Sequence, residues 1–96
     1  MRDLPVSRRA ERDLAEIADY TIATFGNEQA RKYRDQFSTC FASLLANPRL
    51  GRSAEELMPG LRRIRQQAHD VFYLPSKEAL LIVRVLHHSM DFEQHL

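Results

Sequence analysis

The side chains best suited to chemistry in this 96-residue chain are arginines and histidines, and most of the singular ones fall in its second half. Arg62, Arg63 and Arg65 form a short run, and Arg84 sits inside the apolar stretch Ile82-Val83-Arg84-Val85-Leu86. Side chains on a strand alternate between faces, so Arg63 and Arg65 share one side while Arg62 takes the other with Ile64 and Gln66. The same alternation gives Arg84 the face of Leu80, Ile82 and Leu86. A guanidinium there needs a carboxylate or backbone acceptors, because an unpaired buried charge is very costly. Two roles meet that need: an internal ion pair to a helix acid or to the C-terminal segment, or a place lining a groove that meets an acidic partner.

The histidines offer less. His87 and His88 are neighbours at a strand end, so their rings are expected on opposite faces, unable to hold one ion without a bulge. Neither a His-x-x-x-His helix nor clustered acids supply a metal site, and no cofactor is expected. His69 beside Asp70 has the makings of a base and its orienter, but no nucleophile can be placed near it, and a hydrogen-bonded surface histidine is the simpler expectation. Cys40 falls on the apolar stripe of a helix and is expected to be packed rather than reactive. Tyr33 and Phe37 are core by the same spacing, whereas Tyr73 lies on a strand face with no assignable partner. Gly51 and Gly60 are isolated, which excludes a phosphate-cradling loop. These residues assemble no catalytic centre.

The elements that must position them can be read from periodicity. Leu4-Pro5-Val6 reads as a short first strand, kept at an edge because proline cannot donate to a ladder. Ser7 is a suitable N-cap for an amphipathic helix over about residues 8–24, with Ala10, Leu14, Ile17, Ala18, Thr21 and Phe25 on one face. Gly26 ends it and Asn27 is placed to cap a second helix. Its stripe runs through Ala30, Tyr33, Phe37, Cys40, Phe41, Leu44 and Leu45 and stops at Asn47-Pro48. Residues 48–60, with two prolines and two glycines, read as a long exposed connection. Three strand-like runs follow at Leu61–Gln67, Asp70–Leu74 and Leu80–His87, the last a central strand covered on both faces. The expected architecture is α+β: an N-terminal strand, an antiparallel two-helix hairpin, then a three-stranded antiparallel meander completing a small sheet.

Length and composition fit one small domain over residues 1–96, which should bury roughly 60–65% of the surface of the unfolded chain. No apolar run reaches the ~18 residues of a membrane span, and the start Met1-Arg2-Asp3-Leu4-Pro5 lacks the apolar stretch of a leader, so a cytoplasmic location is expected. One cysteine excludes a disulfide framework. A net charge of +1 argues against general nucleic-acid binding. Charge nevertheless segregates. Residues 1–20 carry four arginines against five acids, while residues 49–65 carry five arginines against two.

Read in order, the motifs Ala10…Asp13-Leu14, Ile17-Ala18-Asp19-Tyr20, Phe25-Gly26, Asn47-Pro48…Gly51-Arg52, Gly60-Leu61-Arg62, His69-Asp70-Val71-Phe72-Tyr73 and Ile82-Val83-Arg84-Val85-Leu86-His87 make the chain similar to the ParE toxins of the ParE/RelE superfamily. The resemblance spans nearly the whole chain, tail included. It implies a bacterial type II toxin–antitoxin system with this chain as toxin, a ParD-like antitoxin as its partner in a hetero-oligomer, and DNA gyrase as its target. The toxin is then an inhibitor without catalytic chemistry of its own, needing no cofactor and no sequence-specific contact with nucleic acid. Candidate antitoxin- or target-binding residues are Arg62, Arg63, Arg65, Tyr73, Arg84, His87 and His95, with the segment Asp91–Leu96. The alternative is a ribosome-dependent mRNA endoribonuclease of RelE type, with Arg84 and Arg65 on phosphate and Tyr73, His87 or His95 moving protons. Lys32 and Lys77 are the only lysines, so the lysine-bearing basic centre of such nucleases is missing, which favours gyrase inhibition. A third reading is a degenerate toxin kept as a sink for antitoxin.

Overall fold

The structure, a computed structural model, describes residues 3–96; Met1 and Arg2, which open the segment read for a leader, lie outside the described residues. Helix α1 spans Arg8–Phe25, begun by Ser7, whose hydroxyl accepts from the Ala10 amide at 3.0 Å. Helix α2 spans Asn27–Ala46. Asn27, expected as a cap, is the first residue of α2, because Gly26 alone makes the corner at φ +91°, a backbone conformation that side chains rarely tolerate. The two helices form the expected antiparallel hairpin, packed through Ala10, Phe37, Cys40 and Leu44 onto one face of the sheet.

That sheet has four strands in the order β1-β2-β3-β4: Arg52–Ser53, Arg62–Gln66, His69–Pro75 and Leu80–His87, each antiparallel to the next. The last three are the meander that the alternation predicts. A two-residue turn, Gln67-Ala68, joins β2 to β3, with Gln67 at φ +53°.

Two expectations are corrected at the edges. Residues 48–60 are not simply an exposed connection: they supply β1, and they bury Gly51 and Ala54. The N-terminal segment is not a continuous strand. It runs parallel to β4 through isolated bridges at Asp3 and Val6, with the Leu80 and Ile82 amides donating to the Asp3 and Pro5 carbonyls at 2.8 and 2.9 Å. Pro5 supplies an acceptor there but no donor, so the ladder cannot be completed.

The sheet is covered on both faces. Opposite the helices, Ala54, Leu61, Phe72 and Leu86 form a second apolar cluster beneath Phe92 and Leu96. A short C-terminal helix, α3 (Phe92–His95), lies there, capped by the Asp91 carboxylate. Periodicity gave no sign of it, since four residues make barely one turn. Fully burying Phe72 and Tyr73, one on each face, contributes about 1.5–3 kcal/mol apiece.

Candidate functional site

A register irregularity fixes where the arginines point. Phe72 faces Arg84 across β3 and β4, but Tyr73 faces Ile82, so β4 carries one extra residue at a bulge. Leu80 and Ile82 therefore pack on the helix side while Arg84 and Leu86 stand on the other, which corrects the single face expected for all four. With that shift, Arg52, Arg63, Phe72 and Arg84 line up in register across all four strands. Arg65 shares their face, two residues along β2, opposite Asp70. Arg62 is on the helix side with Ile64, as alternation requires.

Each arginine has its own surroundings. Arg84 is largely buried, and its Nε and Nη2 donate to the two carboxylate oxygens of Asp13 on α1, each at 2.8 Å. Its Nη1 donates to the His95 carbonyl, to which Arg9 also donates. The Asp13 hydrogen bonds hold the Arg84 guanidinium charged, pushing its pKa up against the effect of burial. Both internal acceptors weighed for Arg84, helix acid and C-terminal segment, are present. Arg62 donates to the carbonyls of Gly51 and Arg49 and so ties down the chain before β1. Arg65 reaches the Asp70 carboxylate at 3.1 Å from a side chain that is 55% exposed. Arg63 lies over the ring of Phe92, 5.5 Å from its centroid. Arg52 is exposed, and no ion pair among the described residues includes it.

Tyr73 is a wholly buried core residue and offers no contact surface. Its hydroxyl donates to the Pro48 carbonyl at 2.8 Å and accepts from the Gly51 amide at 2.9 Å. The partner its strand face lacked in the sequence is the turn before β1, at a separation of more than twenty residues.

The histidines cluster at the far end of β3 and β4. The Tyr33 hydroxyl sits 2.6 Å from Nδ1 of His69, and the His69 ring meets His87 edge-on at 5.4 Å. His88, expected to point away from His87, has its ring centroid 4.4 Å from it, because His88 lies beyond the strand end and its amide turns back to the Ala68 carbonyl. Burial and the two neighbouring histidines lower the pKa of His69. Burial raises that of Tyr33 and of Cys40, which is packed as expected. No group of three or more metal-ligating side chains among the described residues is arranged to hold an ion. His87 bonds Ser89 through Nδ1 at 2.7 Å, while His95 contributes its carbonyl to the arginines.

The arrangement thus spreads the candidates over separate places. Arg63, Arg65 and Arg84 share a face with Phe92 and the carbonyl of His95; Arg62 and Tyr73 brace the opposite side; His87 belongs to the histidine cluster. Arg52 and Asp13 were missed as site residues, although Arg52 belongs to the basic segment 49–65; Phe92 falls within the candidate segment Asp91–Leu96.

Similarity to known proteins follows the whole fold. The model for the ParE toxin of type II toxin–antitoxin systems, parDE, matches residues 4–92. The chain is 36% identical over 92 residues to Toxin ParE1 of Mycobacterium tuberculosis, covering 95% of this chain and 94% of that protein. It is 35% identical over 96 residues to Toxin ParE1 of Caulobacter vibrioides, covering 100% and 99%. Toxin ParE of Escherichia coli is 36% identical over 92 residues, covering 95% and 89%. Among solved structures, a chain of the chromosomal ParDE TA system from P. aeruginosa superposes with a TM-score of 0.75 at 21% identity, covering 91% of this chain and 96% of that one, which shows a common fold.

Proposed function

Because this chain belongs to the ParE family of toxins of type II toxin–antitoxin systems, we propose that it acts by binding DNA gyrase, without catalysis, and is neutralised by a ParD-like antitoxin. The observation that supports a binding mode of action is the commitment of Arg84 and Tyr73, the most deeply placed phosphate and proton-transfer candidates, to structural bonds. Arg84 is held by Asp13 and the His95 carbonyl through all three of its nitrogens. Both bonds of the Tyr73 hydroxyl are made inside the core. A ribonuclease would need such groups free to move a proton and to neutralise a developing phosphorane. What remains available at the surface is charge, and charge steers and docks a macromolecule.

For the antitoxin, the reading is an acidic segment that folds as it binds, a helix lying in the grooves of the α1/α2 hairpin and carboxylates meeting the arginine face. Coupled folding suits a small toxin, since a ligand for the native state adds stability by mass action. The test is a topoisomer gel with gyrase, relaxed plasmid and purified toxin. Loss of supercoiling with accumulation of linear DNA is expected. Supercoiling untouched at stoichiometric excess overturns the proposal, and new cuts in ribosome-programmed primer extension would move the assignment to mRNA cleavage.

A further inference from the structure

We infer that Arg52, Arg63 and Arg65 form a carboxylate clamp at the open edge of β2, built to take an extended, acidic stretch of a protein partner.

The first observation is a conflict of charge. Arg52 and Arg63 are direct Cα partners in an antiparallel pair, so their side chains leave the same face side by side. Like charges directly opposite on a ladder are destabilising. Among the described residues no carboxylate pairs with either. Glu55, close in sequence, accepts from the Gly60 amide at 2.7 Å instead. Arg63 has the face of Phe92 as company, a contact that leaves its charge in place. An anion between the two guanidinium groups would remove the repulsion.

The second observation is room for a ligand. Gly51, Arg52, Arg63, Ile64 and Arg65 line a hollow of about 360 Å³, with Leu50 at its rim, 49% exposed, and Asp70 at its base. β1 ends at Arg52, opposite Arg63 and two residues short of Arg65. Alternation turns the main chain of Arg65 to the same side as that of Arg63, where β1 leaves it without a strand partner. Cation, apolar rim and strand edge together match a peptide whose residues alternate between acidic and apolar.

A polyphosphate backbone fits less well. It places a charge on every unit with no apolar group for Leu50 and Ile64, and it brings those charges against the buried carboxylate of Asp70, which already occupies one side of Arg65. The clamp deepens the antitoxin reading, on which it rests for the source of the partner, by naming the strand edge and the alternating acidic and apolar sequence it takes; the peptide titration reads the clamp separately from the gyrase assay.

The probe is an eight-residue peptide of alternating glutamate and valine with blocked ends, titrated into the full chain by NMR. The glutamine counterpart and a single-stranded oligonucleotide of equal charge serve as comparisons. Shifts confined to residues 50–53 and 63–65 are expected, together with roughly tenfold or greater weakening in Arg52→Glu and in Arg63→Gln, the effect of losing one charge-assisted contact. Arg52→Glu also yields a signature that misfolding cannot mimic. It faces Arg63 with an opposite charge, so the free protein should melt about 1–8 °C higher even as it loses the peptide. Equal binding of the glutamine peptide, preference for the oligonucleotide, no binding to the parent chain, or an Arg52→Glu variant that keeps its affinity would each overturn the clamp.

Discussion

Asp13 on α1 closes both the charge of Arg84 and the free edge of β4: its carboxylate accepts from Nε and Nη2 of Arg84 at 2.8 Å and from the Val85 amide at 2.9 Å. One side chain thereby joins the helix hairpin to the strand that is otherwise open past Val83, where the Ser7 hydroxyl holds the carbonyl at 2.7 Å. The pair lies more than seventy residues apart in sequence, and both side chains are nearly buried. A sheet edge covered in this way is protected from pairing with another chain.

Removing one partner should therefore cost far more than the pair contributes on balance. Asp13→Ala strands a buried guanidinium and a backbone amide, and we expect a loss of about 3–5 kcal/mol in urea unfolding. Arg84→Lys should restore little, because an ammonium cannot make the two-pronged contact. The double replacement Asp13→Leu with Arg84→Met should retain more stability than Asp13→Ala; equal or greater loss in the double variant would mean that the pair is not the unit described.

This pair also marks how far the sequence could be read. The meander and both helices were legible because their apolar residues repeat with periods of two and 3.6, a local property of the chain. Arg84 was recognisable as a charge in an apolar strand, but its face was not: the bulge that separates it from Leu80 and Ile82 arises from pairing with β3 and leaves no trace in β4's own pattern. The two-residue β1 is likewise created by its neighbour β2. Tyr73 could not be distinguished from a surface tyrosine, since what satisfies its hydroxyl is a turn that is remote in sequence and rich in proline and glycine.

That turn is the next place to test. Tyr73→Phe keeps the packing and removes both hydroxyl bonds, leaving the Gly51 amide and Pro48 carbonyl unpaired, so a loss of about 1–3 kcal/mol in denaturant unfolding is expected. Gly51→Ala should also destabilise, for a different reason. A Cβ at position 51 would stand 2.5 Å from the Tyr73 oxygen and 2.6 Å from the Arg63 carbonyl oxygen, and the latter is strand backbone that cannot swing aside. Adding Tyr73→Phe to Gly51→Ala removes the clash with the hydroxyl oxygen but leaves those with the Arg63 carbonyl and with the ring carbon Cε1 at 2.9 Å, so the two losses should fall short of additivity.

Acid should weaken the fold through His69. Its pKa is lowered in the native state by burial and by His87 and His88, so the unfolded chain binds its proton first as pH falls. The contribution to stability is intact above the ordinary histidine pKa of about 6.5 and is lost as pH drops below that value toward the lowered native one. Melting temperatures recorded from pH 7.5 to 5 should decline, and His69→Gln should decline less steeply over that window. Identical slopes for parent and variant would show that other groups carry the acid sensitivity.

Phe92 holds α3 to the sheet by two contacts of different kind, an edge-on meeting with Phe72 at 5.0 Å and a ring face turned to Arg63. Phe92→Leu keeps most of the apolar cover and loses both ring geometries, so it should cost about 0.5–1.5 kcal/mol. Phe92→Ala bares part of the Phe72, Leu61 and Leu86 cluster as well, and should cost more and raise binding of an apolar dye. Combined with Arg63→Gln in a double-mutant cycle, Phe92→Leu should reveal a coupling of about 0.5–1 kcal/mol that survives salt better than an exposed ion pair does. A coupling of zero would leave Arg63 held by the strand alone, and the cover that α3 gives the sheet would then rest on Phe72.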